Sequence, residues 1–205
     1  MKYMKEITLK DGRTCLLRSG TAEDAQDVLD VFILTHAQTD FLATYPEETT
    51  FTVDQEAAFL QKKLESENEL ELIAVVDGKI AGTAGIDALG RREKMRHRAG
   101  FGISIDRAYW GLGIGRAMTE ACIECAKKAG YAQLELDVVA DNERAVHLYR
   151  SISIINPRFF PQSARQSHLR FHCHLGGFSG NDLLCFHIFT NPLHFHIVPS
   201  YQSCP

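Results

Sequence analysis

Hydrophobic positions in this chain change period several times, and each change marks an element. In "EITLKDGRTCLLR" two extended runs flank Asp11-Gly12, which predicts a β-hairpin. After Thr21, an N-cap candidate with Asp24 in the first turn, Val28, Val31, Phe32 and Leu34 recur at helical spacing and predict an apolar face. "AQTDFLATYPEETT" holds no period and reads as a loop. Thr52, followed by Gln55, has the form of a capping box, and the helix it opens runs through Phe59, Leu60 and Leu64. "ELIAVVDGKIAGTAGIDAL" is a pair of strands around an Asp77-Gly78 turn. "RREKMRHR" is a solvated basic connection, and "AGFGISI" is another strand. "RAMTEACIECAKKAG" is a helix closed by Gly130, "AQLELDVV" a strand and "NERAVHLYRS" a short helix. The order ββ-α-α-βββ-α-β-α, without internal repeats, predicts a mixed α/β sheet flanked by helices.

Composition adds limits. A chain of 205 residues with 45% hydrophobic and 23% charged residues suits one domain, or one domain with an appendage. The charged start "MKYMKEITLKDGR" lacks the apolar stretch of a secretion leader, and no apolar run reaches the length of a membrane span. The six cysteines are scattered and read as reduced thiols of a cytoplasmic protein. A net charge of −4 argues against nucleic acid as the main partner.

The average hides a break. Residues 152–205 contain no lysine and no glutamate, yet hold six of nine histidines, seven of twelve phenylalanines and five of six prolines. No alternation or helical period persists after Phe160, so the sheet is expected to lack its last strands. We divide the chain into a domain over 1–151 and an atypical tail over 152–205, disordered or translated in a shifted reading frame. His172, Cys173, His174, Cys185, His187, His194, His196 and Cys204 are zinc-ligand types, but no CxxC or HxxxH spacing appears, so no metal is expected.

The densest chemistry lies in "YWGLGIGRA", where Gly111, Gly113 and Gly115 alternate between a strand and a helix. Free N–H groups and the helix dipole make such a junction an anion site, and glycines let a phosphate approach. Arg116 adds a charged donor. A Walker loop needs Lys followed by Ser or Thr, absent here. A dinucleotide loop needs a third glycine where Arg116 stands, although Glu135 lies at the distance that fold would want. A purely structural turn is the bland alternative.

The stretch from Trp110 to Gly115 resembles motif A of the GNAT N-acyltransferase superfamily, with Trp110 where the family has Gln or Arg. "DNERAVHLYRS" is similar to the family's N-x-x-A-x-x-[LV]-Y segment, with Asn142, Ala145, Leu148 and Tyr149. The resemblance covers residues 5–151. It implies a GNAT-like, mostly antiparallel sheet and an acetyl-CoA-dependent N-acetyltransferase that needs no metal. Gly111, Leu112, Gly113, Ile114, Gly115 and Arg116 would grip the pyrophosphate, and Asn142 the pantetheine. A backbone N–H within Ile103, Ser104 and Ile105 would polarise the thioester carbonyl. Tyr149 would serve as general acid for the thiolate. Two bland readings stay open: Asn142 as an N-cap and Tyr149 as a packing residue. Glu135 and Asp137 read as solvent-face residues, and the general base is not legible; "GFG" stands where an acid would be sought. The acceptor is a small-molecule or peptide amine; Glu47, Glu48, Asp54 and Glu56 read either as an attraction for a cationic one or as a solvated face. A homodimer is left open. Two other classes compete, a non-catalytic acyl-CoA-binding module and a nucleotide-binding oxidoreductase. The atypical tail is expected to impair turnover.

Overall fold

The computed structural model describes residues 1–152, except 43, 45–47, 49 and 91, together with 158–161 and 167–175. Strands β1 (Met4–Thr8) and β2 (Thr14–Ser19) form the expected hairpin. Helix α1 (Ala25–Ala37) follows a short 3-10 turn at Ala22–Asp24. Helix α2 (Val53–Glu65) starts at the anticipated box: Thr52 Oγ1 accepts from Gln55 N, and Gln55 Oε1 accepts from Thr52 N. Strands β3 (Leu70–Val76) and β4 (Lys79–Ala88) turn at Asp77-Gly78, where φ values of 50° and 76° suit a tight hairpin. Then come β5 (Arg98–Ile105), α3 (Ile114–Lys128), β6 (Gln133–Val139) and α4 (Glu143–Ser151). Strands β7 (Arg158–Pro161) and β8 (Ser167–His174) close the order.

All eight strands join one sheet in the order β1-β2-β3-β4-β5-β6-β8-β7. Every pairing is antiparallel except β5 with β6. The expectation that the last strands are missing is therefore corrected. In β8, Leu169, Phe171 and Cys173 alternate with Arg170 and His172. That period of two places Phe171 opposite Leu136 of β6, in the core and fully buried. The surrounding histidines masked this short alternation. The expectation of a disordered tail lies, for residues 153–157, 162–166 and 176–205, outside the described residues.

Strand period also sorts the two sheet faces. Leu70, Leu72, Ile86, Phe101, Leu134 and Leu136 share one buried cluster with Ile114, Met118 and Cys122 of α3. On the other face Ile73 and Ile80 pack with Val28 and Val31 of α1 and Leu60 of α2. In α1 the buried stripe includes Leu29, whereas Leu34, assigned to it from the sequence, is 44% exposed. At 3.6 residues per turn Leu34 lies about 120° around the helix from Val28, outside that stripe. Among the described residues no helix is long and apolar enough to cross a membrane.

Candidate active site

The site arises where β5 and β6 part. They pair only through Arg98, Ala99 and Gly100 against Gln133, Leu134 and Glu135. Beyond Gly100 the strands diverge, and a cavity of about 1100 Å³ opens between and over them. Arg98 closes the base of the fork with hydrogen bonds to both oxygens of Glu135, the Nη2 contact at 2.7 Å. Glu135 is buried, not solvent-facing as its alternation suggested, because β8 covers the far side of β6. Asp137 accepts from Arg170 at 2.7 and 2.8 Å.

The glycine loop lies at one end of this cavity. Gly111 and Gly113 have φ of +83° and +101°, left-handed conformations that L side chains resist. Gly113 is the N-cap of α3, and a Cβ built on it would meet nothing within 4 Å. Backbone at this junction therefore faces open cavity, beside the first N–H groups of α3, which lack intrahelical acceptors. These observations fit an anionic group such as a pyrophosphate. Gly115 serves packing as well: its Cβ would lie 3.4 Å from Ile105 Cδ1 and 3.5 Å from Leu148 Cδ2.

Ile103, Ser104, Ile105, Gly111, Gly113, Ile114, Gly115, Arg116, Asn142 and Tyr149 all line the cavity. Leu112 does not; its side chain packs against the core and its carbonyl accepts from Lys10 N at 3.1 Å. Arg116 reaches Ser151 Oγ at 2.6 Å and so links α3 to α4. Asn142 caps α4, accepting from Ala145 N at 3.2 Å. Trp110, the departure from the resembled motif, donates its indole N–H to Ile105 O at 2.7 Å. Arg107 and Arg144 lie over its ring. Arg144 also lines the cavity and was not singled out from the sequence.

Tyr149 is 5% exposed, its ring edge-on to Phe101 at 6.4 Å and 5.7 Å from Phe171. Burial pushes its phenol well above the ordinary range, so it keeps its proton. Both sequence readings of this residue are thus compatible: it packs, and it lines the cavity.

The opposite region of the cavity is acidic. Glu56 of α2, Glu71 of β3 and Asp87 of β4 line it. Burial pushes the Glu56 carboxyl up to about 7. Burial also pushes Glu71 up to about 8; Lys63 opposes that shift, while Asp87 and Glu56 add to it. Buried Lys63 donates to Ile86 O at 3.0 Å and to Asp87 Oδ1. Of the acidic group named from the sequence, Asp54 is exposed, Glu56 faces the cavity, and Glu47 lies outside the described residues. Glu71 was missed, although it is the one acid inside the apolar run "LIAVV" and its leading Leu-Glu.

The family model for GNAT acetyltransferases matches residues 32–152, more than half of the chain, and the chain belongs to this family. The L-amino acid N-acetyltransferase AaaT of Escherichia coli is 32% identical over 81 residues, covering 39% of this chain and 49% of the relative. The chain spans about half or less of the length of the curated relatives it matches. A GNAT acetyltransferase structure from Streptococcus pneumoniae superposes with a TM-score of 0.71 at 28% identity, covering 78% of this chain and 99% of that one. YncA of Salmonella typhimurium, solved with its cofactor acetyl-CoA, gives a TM-score of 0.71 at 15% identity, covering 83% and 99%, and supports the fold.

Proposed function

We propose that this chain moves the acetyl group of acetyl-CoA to a primary amine. The observation that carries the reading is the fork between β5 and β6 opening onto the left-handed glycine loop at the start of α3. Acetyl-CoA is a co-substrate here, and the cavity has room for its extended arm. Backbone N–H groups from Gly113 to Arg116 would hold the pyrophosphate, with Arg144 as a further cation at the loop. The edge of β5 that β6 has left exposes backbone donors between Phe101 and Ile105, suited to a carbonyl on which negative charge develops. Tyr149, kept protonated by burial, would donate to the departing sulfur.

The acceptor would enter from the acidic region, where Glu56, Glu71 and Asp87 favour a cationic amine. Free thiols at the buried Cys15, Cys122 and Cys125 support a cytoplasmic location. The segment after Ile152 is expected to reduce turnover more than cofactor affinity. Among the described residues, all that line the cavity except Arg170 precede it.

The test is a thermal-shift screen with acetyl-CoA, CoA and NADH, followed by a panel of amines with thiol detection. Stabilisation by acetyl-CoA and CoA, with thiol release on an amine, supports the reading. Binding without turnover on any amine favours a non-catalytic acyl-CoA module, and stabilisation by NADH alone favours an oxidoreductase.

A further inference from the structure

The strand that runs beside the fork carries Gly100 and Gly102 where a carboxylate would be convenient, and the missing acid stands two strands away. The pairings place Glu71 of β3 opposite Gly85 of β4, and Gly85 opposite Gly102 of β5. All three point to the face opposite the α3 core, because Leu70, Leu72, Ala84, Ile86 and Phe101 take the other face. Two glycines in one row leave a trough across the sheet. The Glu71 carboxylate lies down in that trough. A Cβ added to Gly85 would come 2.7 Å from Glu71 Oε2 and 3.6 Å from its Cδ. Glycine at 85 is thus the condition for Glu71 to extend toward β5, and Glu71, Gly85 and Gly102 all line the cavity.

We propose that Glu71 is the proton acceptor for the amine, and that the acceptor is bound as an ammonium ion in this glycine trough. The proposal rests on the acetyl-transfer reading above. In the step, an N–H bond of the ammonium breaks and its proton moves to a Glu71 oxygen. The freed lone pair forms the C–N bond to the acetyl carbon as the C–S bond breaks. Tyr149 gives its proton to the departing sulfur, so CoA leaves as a thiol, and the second nitrogen proton restores the phenol. Glu71 then returns its proton to water.

The surroundings suit the role. Lys63 and Glu56 face Glu71 from α2 and Asp87 from β4. Lys63 is held by Asp87 and the Ile86 carbonyl. Enclosure holds the Glu71 carboxyl near neutrality, where a base accepts and releases a proton readily. An arriving cation favours its ionised form, so substrate binding itself readies the base.

The full chain is compared with Glu71→Gln, Glu71→Asp and Gly85→Ala. The readouts are acetyl-CoA calorimetry, thiol release on L-amino acids, an N-terminal alanine peptide, putrescine and benzylamine, and carbon-13 NMR of labelled Glu side chains. Glu71→Gln is expected to bind acetyl-CoA like the parent but to turn over the best amine about 10²–10⁴-fold more slowly. The parent's rise in kcat/KM as Glu71 ionises should vanish in Glu71→Gln and return in part in Glu71→Asp. Gly85→Ala, which displaces the carboxylate, should lower kcat with cofactor affinity kept. Turnover and pH profile of Glu71→Gln equal to the parent's overturn the proposal. If the parent binds acetyl-CoA yet acetylates none of these amines, the NMR titration decides. A Glu71 carboxyl titrating near pH 8 supports the role, and one titrating with the surface carboxylates overturns it. If acetyl-CoA does not bind the parent, the acetyl-transfer reading fails and takes the proposal with it.

Discussion

Tyr149 makes two kinds of contact that one substitution separates. Its ring packs on Phe101 and Phe171, and its hydroxyl is the part with chemistry. Tyr149→Phe keeps the ring, so we expect an unchanged acetyl-CoA Kd by calorimetry and a kcat lower by about 10²–10⁴-fold in thiol-release assays. A variant with parental kcat would reduce Tyr149 to packing. Glu56 yields a prediction about pH. Its folded carboxyl is raised from 4.5 to about 7 by burial, so the folded state binds the proton more tightly than the unfolded chain. That favourable term is complete below the unfolded value and is lost as pH rises through the folded one. Glu56→Gln removes this loss. Its advantage over the parent should grow between about pH 4.5 and 7, by up to roughly 1.4 kcal/mol per pH unit, in urea unfolding followed by circular dichroism. A constant difference across that range would count against a buried, ionising Glu56.

At the scale of elements, the start of α3 does two jobs with the same backbone. Gly113 caps the helix in a left-handed conformation and leaves its Cβ side open to the cavity. Gly113→Val should therefore cost roughly 1–2 kcal/mol of stability from backbone strain. It should also lower CoA affinity by placing a side chain where the pyrophosphate is proposed to lie. Calorimetry on folded protein, verified by circular dichroism, separates the two effects; parental affinity would remove the loop from the site. Trp110 shows how the element tolerates a departure from the resembled motif. Its indole N–H holds the end of β5 through the Ile105 carbonyl, a bond that shapes the loop without a charged side chain.

At the scale of the molecule, the site depends on the strand that follows the compositional break. β8 pairs with β6 along its whole length and sets Phe171 beneath Tyr149. Phe171→Ala removes a fully buried aromatic ring, and a loss of about 3–5 kcal/mol is expected in chemical denaturation. A ring that carried no native packing would cost far less. The origin of the tail is settled separately, by reading the coding DNA in its other frames from codon 152. A frame giving strand-patterned sequence would establish a shifted frame, and absence of one would make the tail the true continuation.

Local pattern was sufficient for most elements and for the glycine loop. Hairpins at Asp11-Gly12 and Asp77-Gly78, the Thr52 cap and the glycine loop are written in neighbouring residues, because turns, caps and anion-binding backbone are decided within a few positions. The family followed from two such local motifs. Other features were decided across the sheet. Glu71 meets Gly85 and Gly102 only through strand register, and Glu135 is buried only because β8 lies beside β6. Leu34 faces outward because the sheet and α2 cover only the stripe of α1 that holds Val28 and Val31. A side chain's neighbours within one strand reveal which face it takes, but not what the next strand places opposite it. That is why the glycine loop was legible in the sequence, whereas the carboxylate proposed to accept the proton emerged only from the assembled sheet.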